Sequence, residues 1–454
     1  MKQIESQSDL PAIFAYIEQN RQSFIDRLIE YLRQPSISAY GEGMGEVADY
    51  LAGWLNQLGL HARLIPTPGW PMVMGQHLQM PGKLTVLLYG HYDVQPPDPL
   101  DEWESPPFEP VIRSGQFFAR GVADDKGDLL CRLQAIEAYQ KAVGPLPFRV
   151  RFIIEGEEEV GSPHLEAFAA TYPDLLKADG CLWETGNKDE ARRPTLALGV
   201  KGICYVMLAV RTAPCDLHSS MGGIIPNAAW RLVWALNSLK DADGRILVDG
   251  LMDHVRPPTK AELAQLATIP FDEAKVKAES GVADFVNGLS GMDLLVKHYY
   301  HPTCTICGLK SGYLEEGMKT VLPSTASAKI DFRLVPDLTP ELVKDLVRAH
   351  LDQRGFTDVE IVHADGVRPA RSKLNAPFVK ICVEAAKATY GADPVIYPTS
   401  PGSGPLYVLC RETPTVMAGV AHSNSKLHAP NENIYIDDYF EGVRFVGELI
   451  QRFA

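Results

Sequence analysis

The sequence predicts an α/β fold, a mixed sheet flanked by helices, interrupted by a smaller α+β domain. Three observations predict it. Apolar runs such as Leu84-Thr-Val-Leu-Leu-Tyr89 and Phe148-Arg-Val-Arg-Phe-Ile-Ile154 read as strands buried on both faces, and stretches of helical spacing lie between them. Past about residue 200 the texture changes to strands with one solvated face, and from 372 the first texture returns. At 454 residues the chain is too long for one ordinary domain. The expected organisation is a main domain built from 1–199 and 372–454, with 200–371 inserted into it.

The elements follow in order. Over 10–33, Ile13, Ile17, Phe24, Leu28, Tyr31 and Leu32 recur at helical spacing, and a second helix is expected over 46–58, stopped by Gly59. The strand at 84–89 comes next, then a helix near 128–142, the strand at 148–154 and a short strand, Gly180-Cys-Leu-Trp183, that ends at Glu184. In the inserted part, 203–211 alternates as a strand and a helix follows Pro226-Asn227. The stretch 240–300 reads as polar and irregular around Pro257-Pro258; strands follow at 303–309 and 325–335, a helix after Pro340, and a strand at 357–363. This strand-helix-strand-strand-helix-strand order suits a small α+β domain with an antiparallel sheet. The remainder reads as helix 375–389, strand 394–397, helix 404–410, strand 415–419 and helix 437–452.

Composition excludes several function classes. A net charge of −14 argues against nucleic acid and against an anionic membrane surface, since both need basic patches. No apolar run approaches the ~18 residues of a membrane span. The first residues show no positive segment followed by an apolar one, so a soluble, cytoplasmic protein is expected. The eight cysteines lie among apolar neighbours, as small buried hydrophobes in a reducing compartment do. Cys304-Thr-Ile-Cys307 has no second pair spaced for a structural metal and sits in a strand-like context.

Four segments carry metal-type ligands: Gly-His91-Tyr-Asp93-Val, Asp124-Asp125-Lys126-Gly127, Glu157-Glu158-Glu159 and His428-Ala-Pro-Asn-Glu432-Asn. Imidazole and carboxylate donors without thiolates suit zinc or a similar divalent ion held for catalysis. Loops at the carboxyl ends of strands are where such ligands gather. Asp93, two residues past His91, can take the imidazole N–H and orient the ring. Asp124-Asp125 precedes a helix, and either bridges cations or caps that helix. Adjacent carboxylates at 157–159 repel one another unless a cation or proton intervenes, and a hydrolytic site needs one of them as base and another as ligand. Gly41-Glu-Gly-Met-Gly45 has no strand before it, which disfavours dinucleotide binding, and Pro401-Gly-Ser-Gly-Pro405 lacks the serine-hydrolase elbow.

Over nearly its full length the chain resembles the cocatalytic zinc metallopeptidases and amidohydrolases: carnosinase-type dipeptidases, carboxypeptidase G, aminoacylase, acetylornithine deacetylase and succinyl-diaminopimelate desuccinylase. The resemblance lies in Gly90-His-Tyr-Asp-Val-Gln-Pro96, Ala123-Asp-Asp-Lys-Gly127, Glu155-Gly-Glu-Glu-Glu-Val-Gly-Ser162, Asp216-Leu-His-Ser219, Lys319-Thr-Val-Leu-Pro323 and Phe332-Arg-Leu-Val-Pro336. The dipeptidase branch looks nearest, through Gly90–Pro96, Gly202-Ile-Cys-Tyr205 and Phe332–Pro336. The resemblance implies a zinc-peptidase-type catalytic domain with a ferredoxin-like lid that dimerises. It implies two divalent ions, zinc by preference and manganese or cobalt as alternatives. His91, Asp124 and Glu184 would hold one ion, and Asp124, Glu159 and His428 the other, with the peptide bond from Asp124 to Asp125 cis. Glu158 would be the general base and Asp93 the orienting group. His218 would steady the oxyanion from the lid of a partner subunit in a homodimer. Arg333 would grip a substrate carboxylate, with Thr320, Asn227 and Ser403 as further substrate contacts. Two positions depart from the dipeptidases: Glu184 stands where they carry Asp and the carboxypeptidase and desuccinylase relatives carry Glu, and Ser400-Pro-Gly-Ser-Gly-Pro405 replaces the usual Gly-Gly-Ser/Thr loop.

The resulting expectation is a dinuclear-metal hydrolase that cleaves the amide bond of dipeptides or short peptides bearing a free carboxylate. The rival within the class is an N-acyl-amino-acid deacylase. A phosphoesterase and a non-catalytic homologue are the more distant readings.

Overall fold

A computed structural model describes residues 9–77, 84–400 and 402–453. It divides into two compact units. One comprises the chain up to Gly199, Ser372–Pro398 and everything from Val408; the other comprises Val200–Arg371 together with Thr399–Tyr407. The segment 399–407, which the sequence reading placed in the main domain, therefore packs with the insertion.

The first unit is built on an eight-stranded mixed sheet in the order Arg63–Ile65, Met72–His77, Arg149–Glu155, Thr85–His91, Gly180–Trp183, Thr415–Met417, Thr195–Ala197, Val395–Tyr397. Thr85–His91 runs parallel to both of its neighbours, and all seven of its residues are buried, as its unbroken apolar run requires. The helix Lys126–Ala142 is buried on almost every face, because the carboxy-terminal helix Ile436–Phe453 and the amino-terminal helix Leu10–Gln19 both pack on it. The expected single helix over 10–33 is two, Leu10–Gln19 and Arg21–Leu32, broken at Asn20, whose backbone leaves the helical region. Arg132, buried in the central helix, donates to the carbonyl oxygens of Tyr89 and Trp183 and so pins two strand ends together.

The second unit has a four-stranded antiparallel sheet, in the order Thr305–Ser311, Thr325–Leu334, Gly202–Arg211, Glu360–Val367. Alternate residues of Gly202–Arg211 are buried, which gives the sheet one covered face. Val206, Leu208, Ile330 and Phe332 pack there with Leu232 and Leu236 of helix Ala228–Leu239 and with Val343, Val347 and Leu351 of helix Pro340–Gln353. Both helices begin at side-chain caps: Asn227 Oδ1 accepts from Ala229 and Trp230, and the Thr339 side chain accepts from Leu342. The stretch 240–300, read as irregular, contains the helices Lys260–Leu266, Glu273–Ser280 and Gly291–Tyr300. They are short, and Glu273–Ser280 buries no residue, so apolar periodicity does not reveal it. The signals that were present are caps: Thr259 forms a capping box with Glu262, and Asp272 accepts from Lys275.

No helix among the described residues is long and apolar enough to cross a membrane. All eight cysteines are free; six are buried, while Cys215 and Cys307 are exposed. Cys307 lies within the edge strand Thr305–Ser311, as its context predicts, and Cys304 stands one residue before that strand begins.

Leu87, fully buried at the centre of the large sheet, gives a direct measure of this core. Leu87→Ala is expected to destabilise the protein by about 2–5 kcal/mol, the cost of a buried leucine plus the cavity it leaves. Chemical denaturation of wild type and variant reads this as a lowered unfolding midpoint. An unchanged midpoint would mean that the strand is not part of the stability-limiting core.

Candidate metal centre

The centre forms where the parallel strands end. His91 is the last residue of its strand and is almost fully buried. Its Nδ1 lies 3.0 Å from the backbone carbonyl of Asp93 and 3.4 Å from Asp93 Oδ1, which turns Nε2 outward. Nε2 is 3.0 Å from Asp124 Oδ1 and 3.8 Å from Glu184 Oε2. The other oxygen of Asp124, Oδ2, is 3.0 Å from His428 Nε2, which also lies 3.2 Å from Glu159 Oε2. Asp124 thus stands between two imidazoles, one oxygen toward each.

Local sequence explains this convergence. The Asp124–Asp125 peptide is cis. Asp125 Oδ2 accepts from the backbone N–H of His91 at 3.2 Å, an approach that only Gly90 allows, since a Cβ there would lie 2.5 Å from that oxygen. Gly121 turns the preceding backbone at φ +84°, outside the comfortable range of other residues. Asp93 meets both His91 and the acidic turn. The closest partner of His91 is its carbonyl, while its buried carboxylate accepts the backbone N–H groups of Glu158 (3.3 Å) and Glu159 (3.0 Å) and so fixes the acidic turn. Gln95 Nε2 donates to Glu159 Oε2 at 3.0 Å, and Trp183 Nε1 to Glu184 Oε1 at 3.1 Å.

Glu432, grouped with the metal-type ligands in the sequence, faces away from this cluster. Its oxygens are taken by Arg120 and by the backbone N–H groups of Gly121, Ala123 and Asp124. Asp125 enters instead: His91, Asp125 and Glu184 form one group with donor atoms within 4.8 Å of one another, and His91, Asp124 and Glu159 form another. The sequence reading placed Asp125 in a ligand-bearing segment but assigned the cation contacts to Asp124. The adjacency of two aspartates before a helix was the one signal for it.

These donors fit divalent cations. Asp125 Oδ1, Glu159 Oε1 and Glu184 Oε2 are buried and have no hydrogen-bond partner, a costly arrangement for carboxylates unless a cation meets them. Without one, the acids strain toward protonation. Burial pushes Asp125 up to about 6, against the pull of His91 and Arg132. Burial likewise pushes Glu158 up to about 7, with repulsion from Glu159 and Asp124 adding to it and His91 opposing. Glu184 is held well above the usual carboxylate range by burial and by Glu158. Asp124 goes the other way: burial would raise it, but hydrogen bonds from His428 and His91 outweigh that and lower it. Burial disfavours the His91 imidazolium, yet its bonds to Asp124 and Asp93 raise it well above the ordinary range; the bonds of His428 to Asp124 and Glu159 lift it to about 10. Raised imidazoles and a lowered Asp124 make ion pairs of His91 and His428 with Asp124.

The remaining predicted residues lie in the second unit and form two local groups. His218 Nδ1 accepts from the Ser220 N–H at 3.2 Å, and Nε2 is 3.4 Å from Thr320 Oγ1. Arg333 Nη1 donates to Ser403 Oγ at 3.0 Å, and its Nε is 3.3 Å from Asp331. Asn227 spends its side-chain oxygen on the helix cap, which leaves only its amide N–H groups for a ligand. Of the altered glycine loop, Ser400 and 402–405 are described, and Pro401 lies outside the described residues.

An α/β sheet whose strand ends collect two imidazoles and several unpaired carboxylates, with an inserted α+β unit, defines a metallopeptidase. The chain belongs to Peptidase family M20/M25/M40, which matches residues 87–452. It is 27% identical to the Cys-Gly metallodipeptidase DUG1 of Saccharomyces cerevisiae over 476 aligned residues, covering 98% of both chains. Among solved structures it resembles the M20 family metallo-carboxypeptidase Sso-CP2 from Sulfolobus solfataricus, with a TM-score of 0.82 and 36% identity over 95% of this chain and 99% of the other. The di-peptidase Dug1p from Saccharomyces cerevisiae gives a TM-score of 0.75 and 26% identity over 98% and 99%.

The charge balance has a measurable consequence. Glu158 keeps its proton up to about 7 in the folded metal-free protein, whereas an unfolded glutamate releases it near 4.5, so that protein should lose thermal stability as pH rises through this window. His428, raised to about 10, continues the same trend above neutrality. A divalent cation should reverse it, giving a larger gain in Tm at pH 7 than at pH 5. Thermal melts with chelator and with added metal test this; a chelator-treated protein that becomes more stable between pH 5 and 7 would contradict it.

Proposed function

We propose that this chain is a two-metal peptidase that cleaves the amide bond next to a free carboxylate in dipeptides or short peptides. The observation that carries the reading is Asp124, with one oxygen 3.0 Å from His91 and the other 3.0 Å from His428. His91, Asp124 and Glu184 would hold one cation, with Asp125 beside them; Asp124, Glu159 and His428 would hold the second. When bound, two such cations, zinc by our reading, polarise a substrate carbonyl and acidify water.

The protein's own groups supply the rest. Glu158, poised near neutrality by burial, accepts the proton of the attacking water and returns it to the leaving amine. Asp93 holds Glu158 and Glu159 in place through their backbone N–H groups. His218 is suited to steady the oxyanion: its Nδ1 is engaged as an acceptor, so the neutral ring carries its proton on Nε2. Arg333, braced by Ser403, would grip the substrate carboxylate through its guanidinium fork, with Thr320 and Asn227 as further contacts. Glu184 speaks against a simple dipeptidase, and the 36% identity to the Sulfolobus carboxypeptidase against 26% to Dug1p favours the carboxypeptidase side of the family.

We further propose a cytosolic homodimer joined through the inserted unit. Trp230, Val233 and Trp234 project from helix Ala228–Leu239, and Ile306 and Leu309 from the edge strand Thr305–Ser311; all are exposed and apolar. An open strand edge beside an apolar helix face is a surface that a second copy can cover.

Metal-reconstituted protein should hydrolyse members of a panel of dipeptides and N-acyl amino acids. Glu158→Ala should keep its metal content and lose turnover. Cleavage of N-acyl amino acids alone would replace the peptidase reading with a deacylase, and substantial residual activity in Glu158→Ala would refute the base assignment. His218→Ala should lower kcat by about 10²-fold or more, the scale of one lost oxyanion donor. If His218 serves the site of its partner, mixing His218→Ala with Glu158→Ala protein should restore activity; no rescue after verified subunit exchange would rule out sharing.

A further inference from the structure

Glu432 is fully buried four residues beyond His428, on a segment that ends in the strand Asn433–Tyr435. That strand pairs antiparallel with Gln116–Phe118, and Ala119 N–H donates to the carbonyl of Glu432 at 3.2 Å. The pairing seats the side chain beneath the turn that carries Asp124. Glu432 Oε1 accepts from Ala123 N–H at 2.7 Å and Asp124 N–H at 3.1 Å; Oε2 accepts from Gly121 N–H at 2.9 Å and Arg120 Nη1 at 2.8 Å. Four donors fill the acceptor positions of a carboxylate, so neither oxygen remains for a cation. Arg120 is also buried, and its second amine donates to the carbonyl of Pro96 at 3.2 Å, on the loop that follows His91. One buried ion pair therefore ties together the segments bearing His91, Asp124 and His428.

We propose that Glu432 is the positioning residue of the metal centre, fixing the Asp124 backbone so that its carboxylate stands between His91 and His428, and thereby setting the affinity for both cations. This rests on the two-cation reading above. In that reading Asp124 serves both cations, with Oδ1 3.0 Å from His91 Nε2 and Oδ2 3.0 Å from His428 Nε2, so a displacement of its backbone moves an oxygen at each site. The arrangement accepts only an anion. Glu432→Gln would place an amide N–H₂ against N–H groups or the guanidinium and leave Arg120 buried without its counter-charge.

Competitive titration of the metal-free protein with zinc and with manganese, at fixed pH and against a chelator of known affinity, tests the proposal. Glu432→Gln should weaken both binding steps by about 10–100-fold, the range for partners that orient metal ligands, with its circular dichroism unchanged. Glu159→Gln, which alters a donor of one group only, should weaken one step. Asn431→Ala is the control for general loosening. Asn431 lies in the same loop but bonds Glu104 N–H and the Glu102 carbonyl, so it should lower the Tm and leave both affinities at the wild-type value. Equal affinities in Glu432→Gln and wild type would overturn the proposal, as would an equal loss in Asn431→Ala. If Glu432→Gln does not fold, Glu432→Asp keeps the charge on a shorter arm and should weaken both steps to a lesser degree; wild-type affinities there would overturn the proposal. Wild-type protein that binds no divalent ion would refute the two-cation reading itself, whereas two bound ions that are indifferent to Glu432 would refute only the positioning role.

Discussion

Asp93, Asp124, Asp125, Glu158, Glu159 and Glu184 crowd around His91 and His428 at the ends of the parallel strands, most of them out of contact with water. Like charges held this close and this dry repel strongly, and the first unit is organised around containing that repulsion. Sheet order sets Thr85–His91 between the strands that lead to Glu158 and to Glu184. Gly90 lets Asp125 press against the strand, Asp93 spends its charge on two backbone N–H groups, and Arg132 clips the strand ends from below. Each contact narrows the positions the acids can take, until their donor atoms gather with His91 in two groups, each within 4.8 Å.

The second unit obeys different rules. Its sheet alternates buried and open residues, its helices start at side-chain caps, and its candidate substrate contacts sit on the surface rather than in the core. Each of two candidate groups is held by a pair of neighbours: His218 by Ser220 and Thr320, Arg333 by Ser403 and Asp331.

Much of this was legible in the residues. Unbroken apolar runs announced the central strands, and donor types at their ends announced the site, because burial on both faces and metal affinity each restrict which residues are tolerated. Legibility failed where the physics is non-local. Asn20 carries no strong helix-breaking signal, yet the chain bends there. The helices within 240–300 are too short for periodicity, although their caps were readable. Glu432 and Asp125 have side chains of the right chemistry, and their division of labour is decided by partners more than thirty residues away: His91 N–H for Asp125, Arg120 and the 121–124 turn for Glu432. No pattern within either segment distinguishes a carboxylate that meets a cation from one that meets amides.

The division into units carries one more consequence. The chain passes from one unit to the other at 199/200, 371/372, 398/399 and 407/408, four times where a simple insertion needs two. The partner of Arg333, Ser403, comes from the short second excursion. The inserted domain is thus not an exchangeable cassette: grafting 200–371 from a relative would bring a foreign arginine to the parental 399–407 loop. Arg333 keeps its own Ser403 partner only if 200–371 and 399–407 are exchanged together.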